Sequence, residues 1–373
     1  MLFSTSEINV LCLLRWCRYM PQDALLSVFS EEVIRPLLFF RFITLYKKHA
    51  AYVLTGAGNR FLNEHIAQLP PPVRPSYRED DCSRRSRSAR FLLTAYRAGL
   101  SVFNTELTSL QENGSCYLTA QARVKGSNPW GSTRMAALLR LGNTVCAVHY
   151  VCDGIGKLSL TDEMNAFMNN TANMKDVKRA MIFTGESCED VYAALAHAED
   201  DPTSKLVSYG ELFRRSDLPV YIIPHSELGA SQLHVMLDSD YRTRMAKVAL
   251  SSYYEPPPRE HPEWDALFNG APLLVAADMD LKRLDAAAQE AAKSRYGPAV
   301  IVALKGQERV LAQRYKRSGL ARSVNTFKAD KDEVLEALRL FVPSDRQFET
   351  TKGTVIHVPP IPTARKAKRS AQK

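Results

Sequence analysis

From Leu273 to Leu340 the apolar pattern switches period repeatedly, and no other feature restricts the fold as much. Leu273–Ala277, Ala299–Leu304 and Val324–Lys328 are short β-prone runs, whereas Leu281–Ser294, Glu308–Arg317 and Asp332–Leu340 carry apolar residues at helical spacing. A strand–helix–strand order needs crossover connections, which give parallel strands with helices on the sheet faces. Upstream, Val102–Asn104, Cys116–Thr119, Met135–Leu141, Thr144–Val151, Ala180–Thr184 and Val220–Ile223 are further strand candidates, with helices at Glu189–Ala198 and Gln232–Leu250. Gly142-Asn143 joins two of these runs as an antiparallel hairpin, so the sheet is predicted to be mixed. The expected α/β domain covers residues 91–345, with two lobes divided near 255–270 by the Pro-rich segment Glu255–Pro262.

The first 70 residues follow a different plan. Ser4 and Glu7 have capping-box spacing, and Ile8, Leu11, Cys12, Trp16 and Tyr19 follow at helical spacing until Pro21. A second short helix is predicted at Gln22–Phe29 and a third at Glu31–Phe42, with Ser30 as its N-cap. Ile43–Tyr46 and Ala51–Leu54 then form a hairpin around Lys47-Lys48-His49-Ala50, and Thr55 caps a closing helix. Three helices, a hairpin with a cationic tip and a last helix predict a winged helix-turn-helix.

Such a domain places its third helix in the major groove and its wing along the backbone. The candidate DNA-binding residues are Arg35 and Arg41 on the third helix, Lys47 and Lys48 at the wing tip, and Arg60. The third helix also holds Pro36 and Leu37-Leu38-Phe39-Phe40 and has few polar groups, which leaves protein contact or dimerisation open as its use.

Charge supports an anionic partner. Residues 1–90 hold 13 Lys+Arg against 8 Asp+Glu, residues 91–360 hold 31 against 32, and residues 361–373 hold 5 against none. Residues 71–90 are expected to be a linker, stiffened by Pro70, Pro71, Pro72 and Pro75, in which Arg84, Arg85 and Arg87 track phosphates, and a helix is expected at Ala89–Ala98, ending at Gly99. Residues 346–373, with Arg365, Lys366, Lys368 and Arg369, are expected to be a basic, disordered tail.

Seven cysteines without a CxxC pair predict a reducing, cytoplasmic setting and argue against a disulfide framework or a structural zinc site. Arg15 and Arg18 interrupt the N-terminal apolar stretch, so neither a signal peptide nor a membrane partner is expected. Asp153-Gly154-Ile155-Gly156-Lys157 lacks the spacing of a phosphate loop and suits a tight turn. Asp278 and Asp280 suit helix capping better than a metal pair, and His225, Glu227 and His234 have no zinc spacing. Trp130 is expected to pack a loop. Neither a metal nor another cofactor is expected.

Four stretches resemble the replication-relaxation proteins of bacterial plasmids and integrated conjugative elements. They are Tyr52–Leu62; Arg134–Leu139 with Ala147–Val151; Val220–His225; and Leu273–Leu284 with the following strand and Gln307. The resemblance implies binding of double-stranded DNA in replication, mobilisation or DNA relaxation, beside a relaxase or other replication protein. It also implies a restriction-endonuclease-like second domain, with a Rossmann-like sheet as the other mixed arrangement. A nuclease of that kind needs an acid on one hairpin strand and acid-x-Lys on the next, to hold Mg²⁺ and activate water. Arg134–Leu141 and Thr144–Cys152 contain no Asp, Glu or Lys, and Met135 stands where an acid is expected. The domain is therefore expected to be catalytically inactive and to dock a partner or form a homodimer. Two alternatives stay open: a DNA-processing enzyme using Asp153, Asp278 or Asp280, and a ligand-sensing transcriptional regulator.

Overall fold

The computed structural model describes residues 3–66, 69–71, 78–124, 130, 133–151, 157–201, 203–208, 210–212, 216–293, 297–330, 333–334, 336, 338, 346–349 and 355–358. Pro72, Pro75, Asp153–Gly156 and the basic residues after 358 lie outside the described residues. The chain is mixed α/β and divides into two compact units, residues 1–109 with 114–128 and 341–373, and residues 110–113 with 129–340.

The first unit opens with α1 (Thr5–Cys17), capped reciprocally as predicted: Glu7 N–H donates to Ser4 Oγ at 3.2 Å and Ser4 N–H to Glu7 Oε2 at 2.6 Å. Every residue of α1 from Asn9 to Cys17 is buried. A helix buried all round must be packed on more than one side. Its neighbours are β1 (Met20–Pro21), α3 (Glu31–Phe39), β3 (Ala51–Leu54), α4 (Gly56–His65) and α5 (Glu79–Arg97). Between β1 and α3 lies α2 (Gln22–Leu26), and β2 (Ile43–Tyr46) completes an antiparallel sheet in the order β1-β3-β2.

The linker expectation needs correction. Residues 79–90 are the first turns of α5, which belongs to the first unit. Glu79, Asp80 and Asp81 suit the positive end of a helix, and Cys82, Ala89, Leu92 and Tyr96 recur at helical spacing and are buried. Cys82 packs with Tyr19, Ala51 and Val53, Arg90 Nη2 donates to Asp23 on α2 at 2.7 Å, and Asn9 Nδ2 donates to Tyr96 Oη at 2.6 Å. The Ser/Arg-rich stretch is thus the outer face of a packed helix. The expected tail also differs, because β13 (Arg346–Glu349) pairs antiparallel with β14 (Val355–Val358), whose β-branched residues favour a strand. Between α5 and β5, the first unit adds β4 (Cys116–Leu118) and α6 (Ala120–Val124); Val102–Asn104 is no strand.

In the second unit β5 (Ala137–Leu141) and β6 (Thr144–Tyr150) form the predicted antiparallel hairpin, with Gly142 at φ +56° in its turn. A helix the sequence did not suggest, α7 (Lys157–Asn170), crosses to β7 (Lys178–Thr184), which runs parallel to β6. Then α8 (Cys188–Asp200) leads to β8 (Val220–Ile222), parallel to β7. The predicted single helix Gln232–Leu250 is two, α9 (Glu227–Val235) and α10 (Tyr241–Leu250). A second sheet follows in the order β12-β11-β10-β9, built from β9 (Ala266–Phe268), β10 (Ala271–Val275), β11 (Ala299–Leu304) and β12 (Val324–Ala329). The connecting helices are α11 (Leu281–Lys293) and α12 (Glu308–Arg317), and β10, β11 and β12 are parallel, as the period switches predict.

The two sheets divide near residues 255–270, but the lobes do not separate. One apolar core joins Val151, Phe183, Ile222, Leu274, Ile301 and Leu311. Buried Gln232 Nε2 donates to Ile222 O at 3.0 Å and to Ala277 O at 2.7 Å, tying the end of β8 to the end of β10. Gln307 Nε2 donates to the same Ala277 carbonyl at 3.1 Å. No helix among the described residues is long and apolar enough to cross a membrane.

Candidate nucleic-acid interface

Helix α3 buries Ile34 and Leu37 and leaves Arg35, Leu38 and Phe39 exposed. Its exposed side carries Glu31 and Glu32 in the first turn, Arg35 at mid-helix and Phe39 at the far end. The helix stops three residues before its predicted end, at Phe39. Phe42 N–H donates to Leu37 O at 2.9 Å and Arg41 N–H to Leu38 O at 3.0 Å, the bonding pattern of a Schellman motif. The residue in the left-handed conformation is Arg41, at φ +57°, where glycine is the usual occupant.

An exposed arginine held in this conformation is a stability cost retained at one point. Arg41→Gly is expected to relieve about 1–2 kcal/mol of strain against about 0.5–1 kcal/mol of added chain entropy. The expected result in denaturant titration is a first unit that is unchanged or up to about 1 kcal/mol more stable.

Rings tie this end of α3 to α4. Phe40 meets Phe39 edge-on at 5.1 Å between centroids, Phe42 lies 5.3 Å from Phe61, and Phe3 lies 4.7 Å from Phe61. Thr55 caps α4 as predicted, its Oγ1 accepting from Gly58 N–H at 3.2 Å and donating to Phe42 O at 3.2 Å. Gly58 makes this approach feasible, because a Cβ there would stand 2.2 Å from Phe42 O. Arg41 and Arg60 are therefore the chain neighbours of two packed rings, and both are exposed. Among the described residues neither they nor Arg35 form an ion pair.

The wing-tip lysines lie on a separate element. A 3₁₀ turn, Lys47–His49, joins β2 and β3 with Ala50 left-handed at φ +43°. Lys47 is exposed and forms no ion pair among the described residues, whereas Lys48 Nζ lies 3.6 Å from Glu79 Oε2. That pair is solvent-exposed and contributes little.

The arginines of α5 depart from expectation. Arg84 Nη2 pairs with Asp81 at 2.8 Å. Arg85 is partly buried and its Nε is buried without a hydrogen bond; desolvation, with Arg84 nearby, holds its pKa below the ordinary arginine value. Arg87 is likewise only partly exposed. All three lie on α5 and not on the expected linker. Sequence reasoning passed over Arg18, whose pKa burial and the neighbouring Arg85 and Arg84 lower to about 10. It also passed over Arg15, which is buried and donates through Nε to Pro70 O at 2.7 Å.

In the second unit the acids form a structural network. Asp280 Oδ1 accepts from Arg283 N–H at 3.3 Å, the capping role expected of it at the start of α11. Asp278 does not cap; its Oδ2 accepts from Arg242 Nε at 2.9 Å and from Tyr241 Oη, so it anchors α10. Arg283 Nη1 donates to Asp265 at 2.8 Å. Burial alone would raise the Asp278 pKa, but Arg242 and Arg283 outweigh it and hold it low. Asp280 moves the other way, from 3.8 to about 6, through burial and then the Asp278 charge.

This shift has a measurable sign. Between pH 3.8 and about 6 the folded chain keeps a proton on Asp280 that the unfolded chain has lost, so this group's contribution to stability falls as pH rises through that window. Asp280→Asn keeps an N-cap and removes the titration. The variant is expected to match the parent near pH 3.8 and to exceed it above about pH 6 in denaturant titrations.

His225 lies 5.4 Å from the Tyr150 ring, His234 is buried on α9, and Glu227 is exposed in its first turn. Among the described residues no group of three potential metal ligands occurs. His149 on β6 is buried beside Glu163, 3.6 Å away, and burial lowers its pKa to about 4. Trp130 is buried, as expected of a packing residue. No known family model, curated protein or solved structure matches the chain.

Proposed function

We propose that the first unit is a winged helix-turn-helix that binds double-stranded DNA, and that the chain is an accessory protein in replication, mobilisation or DNA relaxation of a plasmid or other mobile element. The order α1-β1-α2-α3-β2-β3-α4, with its β1-β3-β2 sheet, supports the domain type. The observation that carries the binding role is the second half of α3 and its C-cap, where Arg35 and the strained Arg41 stand exposed without carboxylate partners among the described residues, near α4 and its Arg60. Lys47 and Lys48 extend the cationic edge along the wing.

The test is titration of the full chain with a fluorescent duplex at several salt concentrations. Binding that weakens steeply with salt, and that weakens further in Lys47→Ala/Lys48→Ala, is expected. Salt-independent binding, or none at 50 mM salt, contradicts the proposal.

The second unit, in this proposal, is a restriction-endonuclease-like or Rossmann-like domain without nuclease activity, used for contact with a relaxase or similar partner or for homodimerisation in the cytoplasm. The hairpin β5–β6, crossing through α7 into parallel β7, supports the nuclease-like arrangement. Neither hairpin strand offers an acid or a lysine for Mg²⁺. Mg²⁺-dependent cleavage of plasmid DNA by the purified chain would overturn this half of the proposal.

One feature favours a ligand-sensing role for this unit instead. A cavity of about 310 Å³ lies against the second sheet, with Leu273, Val300, Val302 and Phe327 among its lining residues. Stabilisation by apolar small molecules, absent in Val302→Trp, would favour that reading.

A further inference from the structure

We infer that Phe39 is a base-stacking wedge, which inserts at a weakly stacked step of the DNA that the neighbouring arginines hold by its phosphates; this rests on the DNA-binding reading of the first unit. A ring this size is normally buried, yet Phe39 is 78% exposed and ends the helix that carries Arg35. Arg35 precedes it by one turn on the same face, and the left-handed Arg41 follows two residues later.

The ring is also supported from behind. Phe39 meets Phe40 edge-on at 5.1 Å, Phe40 lies 6.5 Å from Phe42, and Phe42 lies 5.3 Å from Phe61, so the exposed ring ends a continuous aromatic row. A supported ring loses little freedom when it stacks, and every base offers a π-face. Phenylalanine is among the apolar side chains that proteins insert between base steps.

Charge selects the occupant. The ring stands between exposed Leu38 and Phe40, and the cations around this apolar tip, Arg35 and Arg41, form no ion pair among the described residues, which suits a base stack held by its phosphates. The carboxylates of α3, Glu31 and Glu32, lie in its first turn, one turn before Arg35 and two turns before Phe39. The far end of the helix, and not its first turn, therefore faces the polyanion. Flexible pyrimidine–purine steps and fork junctions, where unstacking costs least, are the preferred targets.

The test uses the full chain and duplexes of one length, carrying 2-aminopurine at a central TA step, at a fork, or within an all-GC flank. Parent chain is expected to change the 2-aminopurine fluorescence at the TA step and the fork and to bind those duplexes more tightly than the all-GC duplex. Phe39→Ala is expected to lose about 5- to 150-fold in affinity for them, keep its melting temperature, and keep its salt slope, since no phosphate contact is removed. Phe39→Trp should restore binding. Arg35→Ala/Arg41→Ala should instead flatten the salt slope. If Phe39→Ala binds every duplex like the parent, while the parent shows the salt-dependent binding, the wedge is wrong and the DNA-binding proposal stands. If Phe39→Ala instead turns a dimer into a monomer with unchanged DNA affinity, the ring is a self-association contact and the wedge is overturned. If the parent binds no duplex, both fall.

Discussion

Asp278→Ala is expected to lower the stability of the second unit by about 3–5 kcal/mol, the range for breaking a buried pair from one side. The carboxylate is fully buried, accepts from Arg242 Nε at 2.9 Å and from the Tyr241 hydroxyl, and orders the turn by accepting from Asp280 N–H at 3.0 Å. Truncation leaves the buried Tyr241 phenol without its acceptor and the Arg242 guanidinium with only Tyr241 Oη at 3.1 Å and Asp280 Oδ2 at 3.9 Å. The Arg242 side chain keeps 29% of its exposure, so water recovers part of the loss and the lower half of the range is expected.

Replacing the pair together, as Arg242→Met/Asp278→Leu, removes both desolvation costs and should recover most of the stability. Fluorescence of Trp264, buried in this core, reports the transition in denaturant. The same variant separates anchoring from metal binding. A carboxylate that held Mg²⁺ would, on removal, abolish a Mg²⁺-dependent rise in melting temperature. An anchoring Asp278 leaves any Mg²⁺ dependence unchanged while the unit loses stability.

Arg35→Glu/Arg41→Glu is expected to give the largest loss of DNA affinity, on the order of 10²-fold at physiological salt. In the proposed binding mode two phosphate contacts vanish and two negative charges replace them. At about 0.9 per contact, the slope of log affinity against log salt should flatten by about 1.8. Both side chains are exposed and unpaired among the described residues, so folding should be little affected by the lost contacts. Arg41→Gly separates backbone from charge, because it relaxes the left-handed residue and still loses one phosphate contact.

Much of the first unit was legible in the sequence because its signals are local. Ile43–Tyr46 and Ala51–Leu54 are strands residue for residue, and Ser4, Glu7 and Thr55 cap as their positions predict. The parallel strands β10, β11 and β12 followed from alternation alone. Misreadings came where composition hid periodicity. In α5 the arginines and serines masked the first turns with Cys82, so the helix read at Ala89–Ala98 begins ten residues earlier, at Glu79. In α7 polar residues masked Leu160, Met164 and Phe167, although these recur at helical spacing.

The candidate site was legible as residue types and not as an arrangement. Arg35, Arg41, Lys47 and Arg60 are exposed as expected, but the left-handed backbone at Arg41 and the outward Phe39 depend on where α3 stops. Pairings such as Arg242 with Asp278, across 36 positions, leave no mark on a sequence.

The central claim is that the far end of α3 and the wing tip lie against DNA. Amide hydrogen exchange of the full chain, with and without a saturating duplex, tests it residue by residue. Slower exchange at Leu38–Phe42 and Lys47–Ala50 on adding duplex is the expected result, with less change at the acidic start of α3. Unaltered exchange in both segments, with DNA bound and protection confined to the second unit, would contradict it.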